Sequence, residues 1–182
     1  MNYPEKEIHT KDGHSVIVRS VQTQDAEIML DYLKAVAVET PFLVNEPEEI
    51  TLTMDQEVRF IQANLDNPKA MMIAGFADGR HVGNASFYMV SGKKRFLHRC
   101  SIGIALYQEF TGLGIGRQMM EILLYEAKKC GYEQAELEVI AANSGAIALY
   151  KSLGFEICGT MKHAMKYKDG TYADMYTMAK QL

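Results

Sequence analysis

Leu106-Tyr107-Gln108-Glu109-Phe110-Thr111-Gly112-Leu113-Gly114-Ile115-Gly116-Arg117 decides the reading of this chain. An apolar, strand-like run passes through a glycine-rich bend directly into residues with helical periodicity. A helix start of this kind offers unpaired N–H groups and the positive end of the helix dipole, and glycines admit a phosphate where Cβ atoms would obstruct it. The segment is a candidate anion cradle.

Three glycine-loop chemistries compete for it. A nucleoside-triphosphatase loop needs Gly-Lys followed by Ser or Thr, whereas Gly116 precedes Arg117 and Gln118, which rejects that chemistry. A dinucleotide fingerprint needs G-x-G-x-x-G at the opening of a βαβ unit. Gly112, Gly114 and Gly116 give G-x-G-x-G instead, late in the chain, although Glu136 or Glu138 could pass for the ribose-binding acid. The third chemistry is a grip on the pyrophosphate of coenzyme A.

A second motif decides for the third: Asn143-Ser144-Gly145-Ala146-Ile147-Ala148-Leu149-Tyr150-Lys151-Ser152-Leu153-Gly154-Phe155. Together the two stretches resemble the GCN5-related N-acetyltransferase (GNAT) superfamily, whose pattern is Arg or Gln, two residues, Gly, one residue, Gly or Ala, and later Asn, an Ala-x-x-x-Tyr helix and Gly-Phe. Thr111 departs from it, standing where the pattern has Arg or Gln. The resemblance runs from about Val16 to the last strand, and Tyr167-Lys168-Asp169-Gly170-Thr171-Tyr172-Ala173-Asp174-Met175-Tyr176-Thr177-Met178 is similar to the closing hairpin of bacterial members.

The resemblance implies one α/β N-acetyltransferase domain over residues 1–182, with an acetyl-CoA core over about 70–156. Its sheet would be mixed, mostly antiparallel, twisted and flanked by helices. The implied activity is transfer of the acetyl group of acetyl-CoA to a primary amine by direct attack, the amine belonging to a small molecule or a protein N-terminus. Ile104, Ala105 and Leu106 would pair with pantetheine through their backbone, a local bulge aiming an N–H at the acetyl oxygen. Thr111, Gly112, Leu113, Gly114, Ile115, Gly116 and Arg117 would hold the pyrophosphate, Asn143 the pantetheine arm, and Tyr150 the leaving thiolate.

The residues taken by themselves leave alternatives. Gly103 suits a bulge or is merely tolerated. Asn143 also fits a helix cap, and Tyr150 an amphipathic core tyrosine. Thioester aminolysis needs a neutral amine, a donor for the developing oxyanion and a route out for the thiolate. With reference pKa values of about 10 for Tyr and about 8.5 for a thiol, full proton transfer is mildly uphill and a hydrogen bond suffices.

No base is evident on the strand expected at Phe96 to Leu106, which carries His98, Arg99, Cys100 and Ser101 and reaches no carboxylate before Glu109. His98, with a reference pKa of about 6.5, is one candidate. Glu109 reads as exposed beside the loop and Glu138 as facing a partner on its strand, so ordered water competes with any side chain.

Around these motifs the periodicity predicts a strand at Ser15 to Val21, a helix from Asp25 to Val38 and a break at Pro41 to Pro47. A helix from Met54 to Leu65 follows, then strands at Ala70 to Ala77, His81 to Val90 and Phe96 to Leu106, split by turn signals. The helix after the loop stops at Gly131. Beyond it lie a strand from Gln134 to Ala141, a helix from Gly145 to Leu153, and strands from Phe155 to Tyr167 and Tyr172 to Met178. Acceptor choice falls to Val38–Met54 and His163–Tyr172. Glu39, Glu46, Glu48 and Glu49 there form either a solvated acidic loop or an attraction for a cationic amine.

Composition sets the frame. The 182 residues, 48% hydrophobic and 23% charged, suit one domain with a sizeable core. A net charge of -4 argues against nucleic acid as a partner. Three cysteines without C-x-x-C spacing point to a reducing cytoplasm, and the polar start Met1 to Glu7 to no secretory leader; no run reaches membrane-span length. His9, His14, His81 and His163 lack ligand spacing, so no metal is expected. Homodimerisation through a strand is a further expectation. Two rivals stand beside the enzyme: a noncatalytic acyl-CoA-binding sensor and a nicotinamide dinucleotide-binding oxidoreductase.

Overall fold

The computed structural model describes residues 1–182. Eight strands form one sheet: β1 (Lys6–His9), β2 (Ser15–Ser20), β3 (Met71–Ala77), β4 (Arg80–Met89), β5 (Arg99–Leu106), β6 (Gln134–Ile140), β7 (Glu156–Lys166) and β8 (Tyr172–Gln181). Their order is β1-β2-β3-β4-β5-β6-β8-β7, and every neighbouring pair is antiparallel except β5 and β6. The helices are α1 (Ala26–Glu39), α2 (Met54–Asp66), α3 (Ile115–Lys129) and α4 (Ser144–Ser152).

Alternation along the strands fixes which face each helix covers, because successive strand residues point to opposite sides. Ile73 joins the main core with Val16, Val18 and the buried face of α3, made by Ile115, Met119, Leu123 and Ala127. Its neighbour Ala74 points the other way, into a smaller cluster with Met29 of α1 and Ile61 of α2. The sheet is therefore sandwiched between α3 and the α1–α2 pair. Thr53 caps α2 in a box with Gln56, each side chain taking the other's backbone N–H.

Two parts of the sequence reading need correction. Lys6–His9 forms an unforeseen edge strand: only Ile8 in it is buried, so no apolar alternation announced it. The strand expected from Phe96 begins at Arg99, because Lys94–Phe96 makes a single helical turn and leaves Phe96 and Leu97 40% and 44% exposed. His98 precedes the strand, and its carbonyl accepts the N–H groups of Glu133 and Gln134 at the start of β6.

The join between β5 and β6 shapes everything downstream. These strands pair only at Arg99–Gln134, Cys100–Ala135 and Ser101–Glu136. Beyond that point β5 continues along β4 up to Leu106, β6 continues along β8 up to Ile140, and the two part. The glycine loop sits where β5 hands over to α3, so it opens a βαβ unit whose strands diverge at their carboxyl ends.

An ion pair anchors α1 to this sheet. Arg19 on β2 donates to both carboxylate oxygens of Asp25 at 2.7 and 2.9 Å and stacks over Phe76 at 4.3 Å. Asp25, with a side chain only 6% exposed, also accepts the Gln22 N–H at 2.8 Å. Burial pushes this carboxyl's pKa up, but the hydrogen bonds from Arg19 and Gln22 outweigh it and hold the group below its ordinary value. A depressed native pKa means stability that is present above the unfolded pKa and lost as pH falls through the folded one. Asp25→Ala strands the half-buried guanidinium and is expected to cost about 3 kcal/mol in urea unfolding at neutral pH. The gap between variant and parent should close as the pH is lowered through the acid range.

Candidate active site

The gap between the parted strands is a cleft of about 950 Å³. One wall is the outer side of β5. Tyr107 N–H bonds to Val82 carbonyl and Val90 N–H to Arg99 carbonyl at the two ends of the β4–β5 ladder, so odd-numbered β5 residues address β4. Ile104 and Leu106 therefore direct their backbone N–H and C=O into the cleft. Ala105 does not: its backbone belongs to β4, and its carbonyl also accepts the Tyr32 hydroxyl at 2.7 Å. Gly103 makes no bulge, since β4 and β5 keep register throughout. The irregularity lies between β3 and β4, where Val82 is the extra residue, and Gly83 there has a φ of +147°. A Cβ on Gly83 would lie 2.5 Å from the Ala105 carbonyl, so only glycine admits this approach.

The glycine loop closes one end. Gly112 and Gly114 have φ of +78° and +87°, the left-handed region, and Gly114 is the N-cap of α3. The N–H groups of Gly112, Leu113 and Gly114 have no protein acceptor. Those of Ile115, Gly116 and Arg117 begin the helix, where no carbonyl lies one turn back inside it. Six consecutive amides at the positive end of a helix dipole thus lack a protein partner, and of their residues Gly112, Gly114, Gly116 and Arg117 line the cleft while Leu113 and Ile115 do not. The Thr111 hydroxyl turns back to the Gln108 carbonyl at 2.8 Å, and Arg117 is engaged by Ser152 at 2.9 Å and Glu121 at 3.0 Å.

Lys11, from the β1–β2 turn, escaped the sequence reading. Its N–H donates to the Leu113 carbonyl at 2.9 Å, its ammonium to the Gly112 carbonyl at 3.1 Å, and its methylenes lie against Gly114. Three ammonium hydrogens against one acceptor leave it donors to spare at the rim of the cradle.

Beside the start of α3, Asn143 caps α4 by accepting the Ala146 N–H at 3.1 Å, which leaves its amide NH₂ free on the cleft. Tyr150 on α4 is 6% exposed and packs edge to face on Phe155, yet its hydroxyl has no protein partner and borders the cleft. Burial pushes its pKa up to about 12, so it remains a neutral donor at ordinary pH.

Glu138, expected to face a partner on its strand, has none. It shares a face of β6 with Glu136, which pairs with Arg99 at 2.6 Å. Two positions further β5 has left, and Glu138 is exposed on the cleft with no hydrogen-bond or ion-pair partner. His98 lies at the other end of β5, outside the cleft, and Glu109 is paired with Arg80 at 2.7 Å on the surface.

The far wall joins segments distant in sequence. Val36 and Glu39 of α1, the stretch Thr40–Val44, and Met165 and Met175 of the β7–β8 hairpin all line the cleft. The Tyr167 hydroxyl donates to the Pro41 carbonyl at 3.2 Å, and Lys168 meets Glu48 at 2.5 Å and Glu46 at 3.3 Å, tying hairpin to connector. Glu39 accepts the Gln108 N–H at 2.7 Å.

Residues 35–155 match the acetyltransferase (GNAT) family, and the chain belongs to it. The chain is similar to the L-amino acid N-acetyltransferase AaaT of Escherichia coli, 30% identical over 63% of this chain and 70% of the relative. It is 39% identical to the ribosomal protein bS18 alanine N-acetyltransferase of Escherichia coli, over 37% of this chain and 45% of that protein, less than half its length. The fold is shared with an acetyltransferase of the GNAT family from Streptococcus pneumoniae, at a TM-score of 0.87 and 23% identity over 92% of this chain and 99% of that one. It is shared too with phosphinothricin acetyltransferase from Sinorhizobium meliloti, solved in complex with acetyl-CoA, at 0.80 and 19% identity over 92% and 88%.

Gly114→Val adds a Cβ to a left-handed residue and places it against Lys11 at 3.3 Å. It is expected to weaken coenzyme A binding by about tenfold or more, roughly 1.4 kcal/mol. Titration calorimetry on the variant, with thermal melting to establish that it is folded, checks this; an unchanged affinity would contradict the cradle.

Proposed function

We propose that the cleft transfers the acetyl group of acetyl-CoA to a primary amine. The observation that carries the reading is the meeting, in one cleft, of the unpaired amides of Gly112, Gly114, Gly116 and Arg117, two outward-facing β5 backbones, an unpaired tyrosine hydroxyl and an unpaired carboxylate. The residues fit acetyl-CoA as substrate: Gly112 to Arg117 and Lys11 for the pyrophosphate, Ile104, Leu106 and Asn143 for the pantetheine amides, and Ile104 or Leu106 N–H for the acetyl oxygen. All 182 residues act as one catalytic unit on a continuous sheet. The cytoplasm is the proposed location, with all three cysteines free. No helix is long and apolar enough to cross a membrane.

Each residue then has a chemical task. Loop amides and helix dipole neutralise phosphate charge without a reorganisation cost at the moment of reaction. Tyr150, held neutral by burial, donates to the sulfur as the C–S bond breaks. Glu138 accepts the ammonium proton, directly or through one water, so that a neutral amine attacks. The sequence left the base open among His98, Glu109 and ordered water; the carboxylate assigned here comes instead from β6. Thiol release from acetyl-CoA across an amine panel tests the reading, and acetyl-CoA binding without release for any amine would favour the sensor instead.

Tyr150→Phe keeps the ring and its packing. It should leave acetyl-CoA affinity nearly unchanged and lower kcat by about 10- to 1,000-fold, roughly 1.4 to 4 kcal/mol. With the hydroxyl's pKa at about 12, its ionisation should produce no alkaline fall in rate below about pH 11. Glu138→Gln should lower kcat/KM near neutrality by about a hundredfold. The deficit should shrink at high pH, where the amine arrives already neutral, while His98→Ala retains most activity. A pH-independent deficit in Glu138→Gln would remove it from the proton path.

A further inference from the structure

We propose that the acceptor is a primary amine borne next to an apolar group and without a carboxylate beside it, the chemistry of an amidated or peptide-linked amino terminus rather than of a free amino acid. This rests on the acetyltransferase reading and adds the class of the second substrate.

The argument is the distribution of charge along the cleft. Its two basic lining residues, Lys11 and Arg117, both sit at the glycine loop, one against Gly112 and the other in the first turn of α3. Of its two acidic ones, Glu39 at the end of α1 is already engaged by the Gln108 N–H, which leaves Glu138 on β6 as the unpartnered carboxylate of the lining. The far wall is largely apolar, with Val36, Phe42, Leu43, Val44, Met165 and Met175 in its lining. Val44 is 83% exposed although it lines the cleft, so apolar surface stands ready for a partner.

The basic side chains of the β7–β8 hairpin, Lys162, Lys166 and Lys168, all lie outside the lining, and Lys168 is neutralised by Glu46 and Glu48. An ammonium entering here meets Glu138 as counter-charge and proton acceptor. A carboxylate on the adjacent carbon would meet that same negative field in an apolar setting, with no cation to pair with, and such juxtaposition discriminates strongly between ligands. An amide in its place carries no charge and can donate a hydrogen bond to Glu138.

The test measures thiol release with saturating acetyl-CoA for leucine, methionine and phenylalanine against their amides, each rate expressed per neutral amine so that differing amine pKa values do not enter. The amides should exceed the free acids in kcat/KM by about tenfold or more. Val44→Arg, which puts a cation on the acceptor wall outside the catalytic groups, should narrow that ratio. A tripeptide beginning with the preferred residue then separates sources: faster than the amide, and the acceptor is a polypeptide terminus; no faster, and it is a small amine. Free amino acids reacting as well as their amides, or a ratio untouched by Val44→Arg, overturns the proposal while leaving the acetyltransferase reading intact. No release with any amine, while calorimetry registers acetyl-CoA binding, overturns both.

Discussion

The early parting of β5 from β6 is the constraint on which the rest of the molecule depends. Three rungs of parallel pairing hold the strands together, and past Ser101 and Glu136 each keeps only its outer neighbour. Buried sheet backbone must find partners, so two strands that separate inside a sheet leave edges which something else has to satisfy. Here the unsatisfied backbone belongs to Ile104 and Leu106, and an amide-bearing ligand laid along it completes the sheet as a further strand would. The parting also explains why Glu136 is tied to Arg99 while Glu138 is unpaired: the same face of one strand passes from ladder to cleft within two residues.

A second consequence concerns the start of α3. The helix begins where β5 ends, so its orphan amides open at the mouth of the gap. Left-handed glycines at Gly112 and Gly114 turn the chain tightly enough for this, and Lys11 braces the turn from the β1–β2 hairpin by giving its N–H and ammonium to loop carbonyls. Those donations satisfy carbonyls while leaving amides free, which keeps the loop positive on its ligand side. Thr111 lacks a charged side chain, and Lys11 brings a cation to the same loop from a different part of the sequence.

The fold and the cradle were legible in the sequence because both are written locally. Glycine spacing specifies a left-handed turn, a 3.6-residue apolar period specifies α3, and the Asn143 to Phe155 stretch specifies a capped helix with its tyrosine. What escaped depends on register or on distant chain. Whether Ala105 or its neighbours face the cleft is decided by which β5 residues pair with β4, and no local pattern encodes that parity. Glu138 looked like an ordinary paired strand residue because the sequence does not announce where β5 leaves. Lys11 is separated from its loop by most of the chain. Phe96 and Leu97 read as strand because they are apolar, yet they sit half exposed on a turn, and that displaced His98 from the site to the far end of β5.

The two halves of the cleft differ in how firmly they are built, and the difference suits a bisubstrate reaction. The cradle and β5 rest on the main core through Ile115, Met119 and Leu123, all fully buried. In the far wall, the 40–48 connector and the hairpin tip are held together by the Tyr167 hydroxyl and by the pairs of Lys168 with Glu46 and Glu48, contacts among exposed side chains that water and salt weaken. Segments with few buried apolar contacts open at lower free energy than the core does. A nucleotide-bearing substrate thus meets a preorganised surface, whereas the amine meets a wall that can yield. Entry and release of acceptors need not disturb the amides that hold the phosphates, because no residue of the 40–48 connector or the hairpin tip packs into the buried face of α3.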